Sequence, residues 1–211
     1  AAYKAYFARQ DARISDRKTM LVPTPNLFWV PGLGLIGVGS NASAARVAAD
    51  LGAQTVQVME WAEANGGFHP IEEDDLFDME YWSLEQAKLG KAKPKPLQGK
   101  AVLVTGAAGA IGLATAVAFK EQGANVFLID RDPQALEKAI EALGPDHGGA
   151  VIDLCSENGA QLSVEAAVNQ FGGVDVLVSN AGAAWSKSML EMDHDTLRNS
   201  FELNFFSHQK I

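Results

Sequence analysis

Apolar and polar positions follow two different rhythms along this chain, and the change comes near its middle. From residue 101 onward, short runs that are apolar throughout alternate with segments of helical period. Ala101-Val-Leu-Val-Thr105, Asn125-Val-Phe-Leu-Ile-Asp130, a run at 149–153 and Val174-Asp-Val-Leu-Val-Ser179 read as strands. Helices are expected over 111–122, 132–143 with Pro133 in its first turn, and 163–171, and a last one starts near Asp195. Strands without polar alternation, separated by helices, imply a parallel sheet covered on both faces.

The pattern before residue 90 is looser. Asn26-Leu-Phe-Trp-Val30 and Leu33-Gly-Leu-Ile-Gly-Val-Gly39 predict two short strands with Pro31-Gly32 as their turn. Ser40, Asn41 and Ser43 offer caps to a long helix over 44–64, which Gly66-Gly67 would end. A further helix is expected over 76–88, preceded by the acidic run Glu72-Glu-Asp-Asp75. Acids at a helix N-terminus are explained by the macrodipole without an ion, so metal is disfavoured there. Between the halves, residues 88–100 gather five lysines with Gly and Pro and read as an exposed linker.

Composition narrows the function classes. The 211 residues carry a net charge of −9, which argues against a nucleic-acid face. The longest apolar stretch, 28–39, is broken by Pro31 and glycines, so no membrane span is expected. A single cysteine, Cys155, permits no intrachain disulfide and reads as a small buried hydrophobe; with no signal peptide visible, a cytoplasmic location is expected. The absent starting Met and the abrupt end at Gln209-Lys210-Ile211 suggest a fragment or a processed chain.

The chemistry centres on Thr105-Gly-Ala-Ala-Gly-Ala-Ile-Gly112, a Gly-rich turn between a strand and a helix. Without a Cβ, the turn lets a pyrophosphate approach, and the helix N-terminus supplies free N–H donors. Asp130, at the end of the next strand, can accept hydrogen bonds from an adenosine ribose and repels a 2′-phosphate, so NAD is favoured over NADP. Arg131 tempers that preference, because a guanidinium can pair with a 2′-phosphate.

With Asp153-Leu154 after the third strand, Asn180-Ala-Gly182 after the fourth and Asn204 in a following helix, residues 100–211 resemble the N-terminal half of a short-chain dehydrogenase/reductase. The resemblance implies an incomplete Rossmann-type doubly wound parallel sheet. It also implies a cofactor site of Thr105, Gly106, Ala108, Gly109, Ala110, Ile111, Gly112, Asp130, Arg131, Asp153, Leu154, Asn180, Ala181 and Gly182, with Asn204 supporting a catalytic water relay. Ala110 stands where the compact branch of that family usually has Gly. The spacing Gly106, Gly109, Gly112 literally matches the extended, sugar-nucleotide branch, but Asn180-Ala-Gly182 and Asn204 favour the compact one. The family also needs a Ser and a Tyr-x-x-x-Lys pair, whose spacing puts both side chains on one helix face. The tyrosines here, Tyr3, Tyr6 and Tyr81, are followed four residues on by Phe7, Gln10 and Glu85. The chain alone is therefore expected to bind a dinucleotide at most and to be catalytically silent.

The segment 28–39, the helix after it and residues 75–90 resemble the join of bifunctional proteins that fuse a class II aldolase to a short-chain dehydrogenase, of the rhamnulose-phosphate aldolase/alcohol dehydrogenase type. On that resemblance, residues 1–90 are the α/β tail of an aldolase-like domain, 91–100 the linker and 101–211 the start of the dinucleotide-binding domain. Zinc would belong only to an aldolase part upstream. His69, His147, His194 and His208 are scattered singly without ligand spacing; His194 reads as solvated at a helix start capped by Asp193 or Asp195. The substrate implied for the parent is a carbohydrate-derived alcohol or aldehyde, and an unpaired sheet edge suggests a homo-oligomer. Two alternatives stay open: an extended-branch sugar-nucleotide epimerase or dehydratase, and a non-catalytic binding or scaffold module with a vestigial nucleotide site, where Trp29, Trp61 and Trp82 could serve an interface, although core packing is the favoured reading for them.

Overall fold

A computed structural model describes residues 1–84, 94–188 and 190–211. The chain divides into two compact units, one of Ala1–Val38 and Ala45–Pro94, the other of Gly39–Ala44 and Lys95–Ile211.

The first unit begins with a helix that the sequence pattern did not announce, α1 (Ala2–Arg13). Its aromatic residues make it a partner for α3 (Glu73–Glu80): Tyr6 meets Phe77 edge-on, Phe7 packs on Tyr81, and Phe77 stacks on Tyr81 at 4.6 Å between centroids. Phe77 and Tyr81 are both 1% exposed and form the unit's small core. A polar network crosses it, in which the Tyr3 hydroxyl donates to Glu80 at 2.6 Å and Tyr6 donates at 3.1 Å. Burial, and then the Glu80 carboxylate, push both phenols above their usual range.

The two short strands are present as β1 (Leu27–Val30) and β2 (Gly34–Gly37), an antiparallel hairpin. Its loop is three residues, 31–33, rather than the expected pair Pro31-Gly32, because Val30 aligns with Gly34. The long helix is α2 (Ala42–Ala64), where the Asn41 side chain accepts from the Ala44 N–H at 2.8 Å. The acidic run differs from expectation. Residues 73–75 lie inside the first turn of α3, and Glu73 is held by Arg9 and Gln10. Helix α3 stops at Glu80, and residues 85–88 of the longer helix expected there lie outside the described residues. Core packing of the tryptophans is also corrected: Trp29, Trp61 and Trp82 are 51%, 61% and 51% exposed. A two-stranded hairpin with one helix has too few layers to enclose Trp29 or Trp61, and Trp82, after α3, lines an open groove with Arg13 and Ile14.

The second unit carries the regular alternation. Strands β3 (Ala101–Thr105), β4 (Asn125–Asp130), β5 (Gly148–Val151) and β6 (Val176–Val178) form a parallel sheet in the order β5-β4-β3-β6. Helices α4 (Ala110–Glu121) and α5 (Pro133–Leu143) cover one face through Ala116, Leu136, Ala139 and Leu143. Helix α6 (Gly159–Phe171) and Leu203 pack on the other with Leu103, Phe127 and Ile129. Asp132 caps α5 by accepting from the N–H groups of Gln134 and Ala135. The chain then runs through α7 (His194–Phe201), a π-turn at Glu202–Phe206 and α8 (Ser207–Lys210). Asp193 caps α7, and the Lys187 ammonium beside it, with the Thr196 N–H, holds its carboxyl well below the usual range.

Two readings shift here. The segment 95–100, expected as exposed connector, is tied to this unit: the Leu97 N–H donates to Gln122 and the Asn125 N–H to the Lys100 carbonyl. Leu97 supplies the apolar anchor that the lysines obscured in the sequence. Cys155 is free and only half-buried, its backbone N–H held by Asp153.

His147 closes an open backbone position of β4, its Nδ1 accepting the Val126 N–H at 3.1 Å. Burial, with Lys120 adding to it, pushes the imidazole pKa below its ordinary value. As pH falls, the unfolded chain therefore takes up the proton first. The stability contributed is full above about pH 6.5 and declines below it. Urea midpoints at pH 7.5 and 5.5 should show a loss on acidification that is smaller in His147→Phe; equal losses in both proteins would remove this role from His147.

Candidate functional site

The C-terminal ends of β3, β4, β5 and β6 open into one cleft of about 410 Å³, within the range of small-molecule sites. Its walls come from five segments distant in sequence: the turn after β3, Ile129 to Arg131 at the end of β4, Ile152 to Leu154 after β5, Asn180 to Gly182 after β6, and Leu203 in the π-turn. In an open parallel sheet this is where ligands bind, because the strand order reverses there and the loops diverge.

The turn is built around backbone proximity. Gly106 has φ +61°, a left-handed value that side chains resist, and a Cβ there would lie 2.7 Å from Ala181 Cα. At Gly112 a Cβ would lie 2.3 Å from the Gly106 carbonyl oxygen and 2.8 Å from Ala107 Cα. Helix α4 can thus start directly against the turn. Its first N–H groups have no partner within the helix, and Gly109, Ala110 and Ile111 at its start line the cleft.

Asp130 is fixed rather than free. One carboxylate oxygen accepts from the Ala108 N–H at 3.0 Å, the other from the Asp132 N–H at 3.1 Å. The carboxylate therefore ties the end of β4 to the Gly-rich turn and stands at the cleft wall with acceptor capacity left.

Thr105 is fully buried behind the cleft. Its Oγ1 accepts from the N–H groups of Asn180 and Ala181, at 3.0 and 3.1 Å. Asn180 answers with its side-chain amide, donating to the carbonyls of Thr105 and Gly106. Asn204, in the π-turn, clamps the far end of the same loop, accepting from the Ala183 N–H and donating to its carbonyl.

Of the fourteen cofactor residues expected from sequence, Gly106, Gly109, Ala110, Ile111, Gly112, Asp130, Arg131, Asp153, Leu154, Asn180, Ala181 and Gly182 line the cleft. Thr105 and Ala108 do not; they act from behind it through hydrogen bonds. Ile129, Ile152 and Leu203 line it and were missed. Each directly precedes an expected polar residue, Asp130, Asp153 or Asn204, so apolar neighbours of the motif positions were the available signal. Also missed is His208, whose ring meets Ser179 Oγ at 2.5 Å and the Ala181 carbonyl at 2.7 Å. Its spacing of four from Asn204 was the clue. Among the described residues no group of three or more His, Cys, Asp or Glu could hold a metal ion, and no helix is long and apolar enough to cross a membrane.

Residues 100–211 match the family model described as "short chain dehydrogenase". The chain belongs to the short chain dehydrogenase family. Residues 1–89 of this dehydrogenase-family chain match a second family model, described as "Aldolase class II, second domain". Among its relatives is "Uncharacterized oxidoreductase YuxG" of Bacillus subtilis (strain 168), 32% identical over 190 residues, which are 87% of this chain and 27% of the relative. Another is "L-rhamnose 1-dehydrogenase (NAD(P)(+))" of Sphingomonas sp. (strain SKA58), 40% identical over 114 residues, 52% of this chain and 45% of that protein. The chain thus spans about a quarter of the first relative and under half of the second. Its fold is similar to an NAD+-bound xylitol dehydrogenase, with TM-score 0.53 and 33% identity over 55% of this chain and 46% of that one. It is equally similar to L-sorbose reductase from Gluconobacter frateurii complexed with NADPH and L-sorbose, with TM-score 0.53 and 28% identity over 56% of this chain and 46% of that one.

Proposed function

We propose that the cleft of the second unit binds NAD, and that this chain supplies the cofactor half of an oxidoreductase acting on a carbohydrate-derived alcohol or aldehyde. The observation that carries the reading is Asp130, held at the cleft wall by the Ala108 and Asp132 N–H groups. A fixed carboxylate there accepts from ribose hydroxyls and repels a 2′-phosphate. The glycine contacts at Gly106 and Gly112 fit a group that needs bare backbone, such as a pyrophosphate. Arg131 stands at the same wall, so NADPH would bind more weakly rather than be excluded.

A bound nicotinamide would supply hydride chemistry. The chain's own residues bind and orient it: Gly106 to Gly112 at the pyrophosphate, Asp130 at the ribose, Asp153 and Leu154 at the adenine edge, Asn180 to Gly182 along the cleft. Asn204 would support a water relay to a tyrosine. No tyrosine in these 211 residues is followed four positions on by lysine, so the proton step would fall to residues outside this sequence.

The same reading proposes 1–90 as an aldolase-derived domain, 91–100 as linker and 101–211 as the dinucleotide domain of a bifunctional cytoplasmic enzyme, with zinc confined to an upstream aldolase part. Homo-oligomers are expected because strand edges of the sheet carry unpaired backbone groups. The relatives include dehydrogenases named for L-rhamnose and D-threitol, which supports a sugar or polyol substrate class.

Calorimetric titration with NADH and with NADPH tests the proposal. Saturable NADH binding, about tenfold tighter than NADPH, is expected from repulsion of the 2′-phosphate, a difference of about 1.4 kcal/mol. No heat with either nucleotide at millimolar concentration would remove the dinucleotide role.

A further inference from the structure

We propose that His208 is a positioning residue for the dinucleotide cleft, acting through the carbonyl of Ala181 to set the loop that lines it. The proposal rests on the dinucleotide reading of that cleft.

The loop after β6 is pinned in alternation. Asn180 faces inward, bonded to the Gly-rich turn, while residues 179, 181 and 183 face the helix that follows. Asn204 takes both backbone groups of Ala183. His208, one helical turn later, takes the Ala181 carbonyl with Nε2 at 2.7 Å and Ser179 Oγ with Nδ1 at 2.5 Å. Asn204 lies within the π-turn at Glu202–Phe206 and His208 just after it, and the buried Ser207 hydroxyl donates to the Leu203 carbonyl of that turn, at 2.6 Å.

A carbonyl only accepts, so Nε2 carries the proton. In the neutral ring Nδ1 then accepts from the Ser179 hydroxyl. In the cation Nδ1–H donates to the same oxygen, whose hydrogen rotates away. Either charge state keeps both contacts, which makes His208 a latch rather than a pH switch.

The latch matters because Ala181 is constrained from its other side. Its N–H is committed to Thr105 Oγ1, and its Cα would be 2.7 Å from a Cβ on Gly106. Ala181 therefore sits between the Gly-rich turn and His208, and Ala181 with Gly182 lines the cleft. His208 itself is not a lining residue, so its effect on a ligand passes through the loop. Releasing the Ala181 carbonyl leaves a part-buried acceptor without its donor and frees the loop to turn out of the cleft wall.

The test compares His208→Leu, His208→Gln and Ser179→Ala in this chain. NADH affinity is read by calorimetry and amide hydrogen exchange is followed over residues 179–183. His208→Leu should weaken NADH about tenfold and speed exchange in that loop while β3 and β4 stay protected. His208→Gln, which can still donate to the Ala181 carbonyl, should recover most of the affinity. Ser179→Ala should cost less than His208→Leu. Unchanged NADH affinity with unchanged loop exchange in His208→Leu would overturn the proposal. So would exchange rising throughout the unit without rescue by glutamine. If the parent chain itself fails to bind NADH, the dinucleotide reading fails, and loop exchange in His208→Leu against His208→Gln still decides whether His208 sets the loop.

Discussion

Substituting Gly112 by valine is expected to abolish NADH binding, with affinity reduced on the order of a hundredfold or more and the second unit destabilised by about 1–3 kcal/mol. The neighbours that a side chain would strike are the Gly106 carbonyl oxygen at 2.3 Å and Ala107 Cα at 2.8 Å. Both are backbone atoms of the turn itself and cannot step aside as a side-chain end can. Helix α4 would have to slide away from the turn, taking its free N–H groups with it. Gly109→Ala is the matched control, because its Cβ would meet only the Gly106 carbonyl, at 3.4 Å. Thermal melting and calorimetry on the two variants should separate them. Equal NADH affinity in Gly112→Val and the parent chain would contradict the turn's assigned role.

The next largest effect is expected at Asp130. Alanine there removes the acceptors of the Ala108 and Asp132 N–H groups, as well as the carboxylate at the cleft wall. Hydrogen bonds to charged groups contribute about 1.5–3 kcal/mol each. NADH affinity should therefore fall between about tenfold and a hundredfold. NADPH should lose less, since the repulsion of its 2′-phosphate goes with the carboxylate, and Arg131 remains. Parallel titrations with the two nucleotides check this. A loss that is equal for both would mean that Asp130 braces the turn without reading the ribose.

Much of the second unit was legible because each local signal agreed with the others. The run from Asn125 to Asp130 is apolar and bounded by turn residues, and it is strand β4 to the residue. Pro133 announced a first turn, and it stands there in α5, with Asp132 as the cap just before it rather than inside the helix. The Gly-rich turn could be placed because Gly106 and Gly112 serve one geometric need, close approach of backbone to backbone. What escaped were contacts that no periodicity encodes. Leu97 lies in a stretch dominated by Lys, Gly and Pro, yet it packs against the core beside α4 and draws 95–100 into the fold. Helix α1 is amphipathic only through aromatic residues interspersed with Lys and Arg, and its stability comes from packing on Phe77 and Tyr81 rather than from its own pattern. The tryptophans failed for the opposite reason. Bulk and apolarity favour burial, but the hairpin and α2 leave Trp29 lining an open groove with Val30, Leu35 and Val56. At the site, residues with motif identities were found, whereas Ile129, Ile152, Leu203 and His208 depend on which way the chain turns after each strand.

A nicotinamide dinucleotide is expected to contact the chain at the cleft of the second unit. Backbone amide NMR shifts recorded during titration with NAD+ locate it directly. The largest changes should fall on Gly106, Gly109 to Gly112, Asp130 and Asn180 to Gly182, with residues 1–84 unmoved. Shifts confined to residues 1–84, or none anywhere at saturating NAD+, would contradict it.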